Sequence, residues 1–133
     1  MNYIGIDYGE KWIGMAVSDE LGVIATPVEA IRNKGYKEFR QEFAKRINDK
    51  KIEVVIVGVP QGLNGKETIQ SKVNREFGDM LENEMDMSVI YWNEDFTTNE
   101  AKVKKKRKSD GSVDSYAAFL ILQEYLNYKN TGQ

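Results

Sequence analysis

The sequence contains neither cysteine nor histidine. Without them no disulfide, structural zinc cluster, cysteine nucleophile or serine–histidine–aspartate triad can be assembled. Catalysis, if present, must draw on carboxylates, lysines, hydroxyls or a bound metal, and the oxygen ligands that remain suit a hard cation such as magnesium. Only two prolines occur, Pro27 and Pro60, and both fall at the edges of apolar segments. No apolar window reaches the length needed to cross a bilayer, and Met1 to Gly9 has no basic stretch leading into a long apolar run, so a cytoplasmic protein without membrane contact is expected. An excess of either charge is also lacking, with 19 lysines and arginines against 21 acids. The net charge of −2 gives no global attraction to nucleic acid, and any such binding must come from a local basic cluster.

What is present is an ordinary globular supply of apolar side chains in 133 residues, enough to bury one core, so one domain spanning 1–133 is expected. Tyr3 to Tyr8 and Trp12 to Ser18 are short and β-leaning, and the Gly9-Glu10-Lys11 turn between them makes a hairpin. Val23 to Ile31 supplies a third strand of an antiparallel meander. From Tyr36 to Lys50, the spacing of Phe39, Phe43, Ala44 and Ile47 predicts an amphipathic helix. The run Ile52 to Val59, IEVVIVGV, is apolar apart from Glu53 near its start, as suits a central parallel strand covered on both faces. A second helix is predicted over Glu67 to Asn83, with Ile69, Val73, Phe77 and Leu81 on its stripe, and a strand follows from Met87 to Trp92. A third helix beginning near Thr98 runs into a lysine cluster, and a last helix covers Val113 to Tyr128. The order βββαβαβαα implies an α/β fold: a mixed five-stranded sheet, three antiparallel strands and then parallel ones, with helices on both faces.

Strand alternation puts Tyr3, Gly5 and Asp7 on one face of the first strand. A carboxylate in a central apolar strand is costly to bury unpaired, so Asp7 belongs at the strand's open end, facing a cation or donors. Glu94 follows the last strand, whose end opens onto the same sheet edge, where ligands of open α/β sheets settle. Asp114 opens the final helix, with Val113, Ala117, Leu120 and Ile121 turned inward. Three acids distant in sequence thus meet in one cleft, where repulsion calls for a bound Mg²⁺ or a pair of them. Each acid has a plainer reading too: a turn-closing aspartate, a solvated loop acid beside the competing Asp95, and a helix N-terminal acid stabilised by roughly 0.3–1 kcal/mol.

These segments, GIDYGEKWIGMAVSD from Gly5, VGVPQGLNG from Val57, EDFTTNEA from Glu94 and VDSYAAFLILQEYL from Val113, together resemble the YqgF family, known as Holliday junction resolvases or pre-16S rRNA nucleases. The likeness covers essentially the whole chain. It implies a ribonuclease H-like fold and a bacterial enzyme that cuts phosphodiester bonds, trimming the precursor of 16S ribosomal RNA. It also implies Asp7, Glu94 and Asp114 as the acids that hold Mg²⁺, with Mn²⁺ as a substitute, and it matches Lys11, Thr97 and Thr98 to family positions. The family often has Asp-Glu-Arg where this chain reads Asn93-Glu94-Asp95, and a lysine-arginine pair where it reads Lys11-Trp12.

Lys11 is the candidate phosphate contact, or else a solvated turn lysine. The run from Lys102 to Lys108 has six basic side chains in seven positions, too many for one helix face. Lys104, Lys105, Lys106 and Arg107 either contact a nucleic-acid backbone or form a solvated segment. Tyr8 and Trp12 can stack on bases or pack in the sheet, whereas Trp92 is expected in the core. The expected partner is nucleic acid, RNA before a DNA junction, bound by a monomer or weak dimer. Two readings compete with the nuclease acting on ribosomal RNA. One is a resolvase cutting DNA junctions, which requires a two-fold dimer; the other is a non-catalytic RNA-binding assembly factor. The GIDYG segment also resembles the phosphate loop of actin-like ATPases, which need two such domains.

Overall fold

A computed structural model describes residues 2–48, 51–62, 65–94 and 110–132. Its strands are β1 (Asn2–Tyr8), β2 (Trp12–Ser18), β3 (Ala25–Arg32), β4 (Ile52–Pro60) and β5 (Ser88–Glu94). Its helices are α1 (Tyr36–Ile47), α2 (Ile69–Met85) and α3 (Ser112–Thr131). The sheet has the order β3-β2-β1-β4-β5, antiparallel among the first three strands and parallel across β1, β4 and β5. This is the mixed sheet expected from the sequence. The helix expected near Thr98 lies outside the described residues.

The two faces of the sheet carry different helices because alternate side chains of each strand face opposite ways. Ile4, Ile6, Ile13, Met15, Val55 and Val57 turn to one face and pack with Phe39 and Phe43 of α1 and Phe77, Met80 and Leu81 of α2. Phe77 is the hub of that layer. Its ring stacks on Tyr8 at 4.4 Å between centroids and meets Phe39 edge-on at 5.1 Å. Burial of each such phenyl contributes about 1.5–3 kcal/mol. On the other face Tyr3, Ala16 and Ile56 meet Ala118, Ile121, Leu122 and Leu126 of α3. Small residues let α3 lie close: a Cβ on Gly5 would stand 2.7 Å from Leu122 Cβ and 3.0 Å from the Ala118 carbonyl.

Several boundaries and faces differ from expectation. The third strand starts at Ala25, since Asp19 Oδ1 accepts from the Val23 and Ile24 N–H groups and holds them in a loop. In α1, Ala44 is exposed; Phe39 and Phe43 form the buried stripe. In α2, Ile69 is 81% exposed and the buried face includes the polar Ser71 and Asn74. The reason is the cap: Thr68 and Ser71 bond reciprocally at the N-terminus, which fixes the helix's rotation from its first turn. In α3, Val113 and Leu120 are half-buried, and Ser115, Ala118, Leu122 and Leu126 join Ala117 and Ile121 in the core.

Candidate active site

Parallel pairing of β1, β4 and β5 brings their carboxyl ends to the same edge, and the antiparallel β2 returns its start there. Asp7, the penultimate residue of β1, is 5% exposed. It is paired across the sheet with Gly14, and on its other side Ile6 pairs with Val57, so Asp7 runs alongside Gly58. Both flanking positions are glycine, and each is filled from elsewhere in the chain.

At Gly58 the filler is the second acid. Glu94 Oε2 lies 2.8 Å from the position a Cβ on Gly58 would take, and Ile121 occupies the rest of that space. Glu94 is the last residue of β5, not a loop residue beyond it, and is 4% exposed. Its backbone carbonyl accepts from the Gln61 N–H at 3.4 Å, tying the ends of β4 and β5 together.

At Gly14 the filler is the first turn of α3. The Asp114 carbonyl and the Ser115 N–H side of that peptide lie in the space a Gly14 side chain would need. Ser115 Oγ accepts from the Met15 N–H at 3.2 Å, pinning this turn to β2. The Asp114 carboxylate continues along the same edge: its Oδ1 lies 3.5 Å from where a Cβ on Gly9 would be. Asp114 is half-buried. Asp7, Glu94 and Asp114 therefore stand at one end of the sheet on the α3 face, around Gly9 and Gly58.

The donor set is all oxygen, the chemistry a hard divalent cation selects. Among the described residues, no three acids already stand as a group able to hold a metal ion. Lys11 lies in the exposed β1–β2 turn next to this edge. Lys104, Lys105, Lys106, Arg107 and the paired Thr97 and Thr98 fall outside the described residues. Trp92 is partly buried against Tyr125, with its indole N–H donating to Glu124 at 3.2 Å, and Tyr8 is committed to stacking on Phe77. Packing, not base stacking, accounts for both.

Three supporting residues escaped the sequence reading. Asn74 Nδ2 donates 2.8 Å to the Gly58 carbonyl from inside α2, and Ser71 Oγ donates to the Pro60 carbonyl. Asn33 Nδ2 donates 2.8 Å to the Gly9 carbonyl, while its backbone N–H donates to the Lys11 carbonyl. All three are side-chain bonds to strand-end carbonyls. No local pattern announces such bonds, though buried polar residues interrupting an apolar helix stripe are a hint.

A mixed sheet of this order, with acids gathered at one end of its α3 face, defines a ribonuclease H-like protein. The fold is that of Thermus thermophilus RuvC in complex with a Holliday junction substrate, at a TM-score of 0.59 and 16% identity over 99% of this chain and 97% of that one. The fowlpox virus resolvase in complex with Holliday junction DNA matches at 0.57 and 15%, over 97% and 99% of the two chains. A family model described as RuvX, Holliday junction resolvase, matches residues 1–128. A relative from Agathobacter rectalis is 36% identical over 96% of each chain, and one from Halothermothrix orenii is 37% identical over 98% of this chain and 97% of that one. Both are provisionally named pre-16S rRNA nucleases. The chain belongs to the RuvX family, the YqgF family whose motifs it carries.

Proposed function

We propose that this protein is a divalent-metal-dependent nuclease that hydrolyses phosphodiester bonds, with the precursor of 16S ribosomal RNA as its substrate. The observation that carries the reading is the placement of Asp7, Glu94 and Asp114 on one face at one sheet end, where Gly14 and Gly58 leave room for the first turn of α3 and for the Glu94 carboxylate. Family membership and the names of the relatives support it. These three carboxylates would hold Mg²⁺, with Mn²⁺ a workable replacement. When bound, the cation would offset charge on the phosphoryl oxygens and lower the pKa of attacking water.

The protein's own part is positional. Asp7 comes from the rigid centre of the sheet, Glu94 from β5, the parallel strand beyond β4, and Asp114 from a helix pinned by Ser115. Groups fixed on packed elements keep their geometry through the reaction better than groups on loops. No side-chain nucleophile is needed. Lys11, and the run containing Lys104, Lys105, Lys106 and Arg107, supply cations for the nucleic-acid backbone. Among the described residues no helix is long and apolar enough to cross a membrane, and a cytoplasmic place suits an RNA-processing role.

The test is cleavage of matched single-stranded RNA, duplex RNA and four-way DNA junctions by purified protein, with and without Mg²⁺ or Mn²⁺. Metal-dependent cutting of RNA bears the proposal out, and binding without cutting under every condition overturns it in favour of an assembly factor. The resolvase reading is favoured by the family model's description and by the folds of the two resolvases. It predicts symmetric cutting of junctions by a two-fold dimer, so mass in solution separates it from a monomeric RNA nuclease.

A further inference from the structure

Beside the acid cluster, on the same face of the sheet, Arg32 stands directly across from Trp12 in the β2–β3 pairing. Its guanidinium carbon lies 5.4 Å from the centre of the Trp12 ring. The ring is itself wedged against the helix that carries Asp114: a Cβ on Gly111 would meet Trp12 ring carbons at 2.8 and 2.9 Å. Trp12 is therefore engaged by Gly111 and by Arg32, which makes it a support for the cation and not an open stacking platform for bases.

Arg32 is exposed, and among the described residues no carboxylate pairs with it. A guanidinium stacked on an aromatic face keeps its planar fork of N–H donors available at the edge, the arrangement that grips phosphate oxygens. The position is also fixed. The next residue, Asn33, clamps the end of β3 to the Gly9 and Lys11 carbonyls. Two strands over and two residues along from Asp7, the Arg32 backbone lies about 12 Å from it, taking about 4.8 Å between strands and about 3.4 Å per residue. A bound strand whose scissile phosphate sat at the acids would pass a neighbouring phosphate within the reach of this side chain.

Arg32 also lines the mouth of a groove of about 380 Å³ between β3 and α1, whose walls carry both signs of charge, Glu29, Glu38 and Glu42 against Lys34, Lys45 and Arg46.

We infer that Arg32, stacked on Trp12, binds a backbone phosphate next to the scissile one and positions the nucleic-acid strand over Asp7 and Asp114. This deepens the nuclease reading and rests on it. Binding of matched RNA and DNA strands to full-length Arg32→Gln, Arg32→Lys and Trp12→Ala proteins should be measured across a salt series, alongside KM and kcat. Arg32→Gln should weaken binding and raise KM about tenfold, the scale of one charge-assisted contact, with a much smaller effect on kcat. It should also lower the slope of log affinity against log salt by about 0.7 on single strands, one phosphate's worth. Arg32→Lys should keep the slope, and Trp12→Ala should lose affinity without adding to the loss in the double variant.

Wild-type protein that cleaves, with KM and salt slope unchanged in Arg32→Gln, overturns this inference alone. Wild-type protein that never cleaves, yet binds with a slope that depends on Arg32, supports the phosphate contact and overturns the nuclease reading. Equal losses on RNA and DNA fit a backbone contact common to both, and a loss confined to one identifies the polymer the surface takes. Because Arg32 is exposed, an unchanged melting temperature confirms that the fold is intact.

Discussion

The backbone carbonyl of Asp114 fills the space that a side chain on Gly14 would occupy, and Gly14 is the cross-strand partner of Asp7. One glycine thus sets the separation between the central strand and the helix that delivers the third acid. Gly14→Ala cannot be absorbed by a rotamer change, since the obstacle is main chain. Overpacking of this kind costs about 3 kcal/mol or more when backbone must move. Thermal melting should show the loss of stability, and any folded remainder should have displaced Asp114 and little activity.

Gly58→Ala separates geometry from stability. Its new methyl group would meet the Ile121 side chain and Glu94 Oε2, both of which can yield. The cost should be smaller, about 1–2 kcal/mol, while the Glu94 carboxylate is pushed off its place over Gly58. A modest melting shift with a large fall in kcat is the expected pair of results. A large melting shift with kcat preserved would contradict the placement of Glu94.

For the acids themselves, Asp7→Asn, Glu94→Gln and Asp114→Asn should each keep the fold and lower kcat by about two orders of magnitude or more, the scale for removing one group that stabilises a developing charge. Chelation of divalent ions should abolish cleavage by the wild type, and added Mg²⁺ or Mn²⁺ should restore it. Near-full activity in Asp7→Asn would refute the site.

These acids were legible in the sequence because of where they interrupt a pattern. Asp7 breaks a β-type apolar run, and Asp114 stands at the start of the last helix. The strand order was legible too, since β4 is apolar on both faces from Val54 to Val59. The second helix was less so. Its apolar spacing marked Ile69 and Val73 as core, yet Ile69 is exposed and Asn74 is buried at 2% exposure. Periodicity weighs side chains by hydrophobicity alone, and here rotation is set by a cap and by polar bonds to the ends of β4. Arg32 and Trp12 gave no joint signal either, because their pairing depends on the register of β3, which the loop held by Asp19 determines.

Asn74 tests that account. Its Nδ2 donates to the Gly58 carbonyl and its Oδ1 accepts from Gln70 Nε2 at 2.7 Å, so Asn74→Ala leaves a buried strand carbonyl without its side-chain donor. A loss of about 1–3 kcal/mol is expected, read as a lower denaturant midpoint with an unchanged slope. An apolar replacement of similar size, Asn74→Leu, should not recover it, since the missing element is the donor and not the volume.

The pH dependence of stability has an alkaline arm at Tyr91. Its hydroxyl is within reach of the Arg75 carbonyl at 3.1 Å and of Asp79 Oδ1 at 3.0 Å, its single proton serving one at a time. Burial, then the Asp79 carboxylate, pushes the phenol's ionisation well above its ordinary 10.0. A folded-state pKa raised above the unfolded value contributes stability that is fully present below pH 10 and lost as pH climbs from there toward the folded pKa. Wild-type protein should therefore lose stability steadily above pH 10. Tyr91→Phe should be less stable at neutral pH by about 0.5–1.5 kcal/mol, the worth of one hydrogen bond, with a flatter decline above pH 10. Denaturant titrations of both proteins between pH 7 and 11 check this: if the two curves stay parallel through the alkaline range, the Tyr91 proton is not the group that unfolding releases.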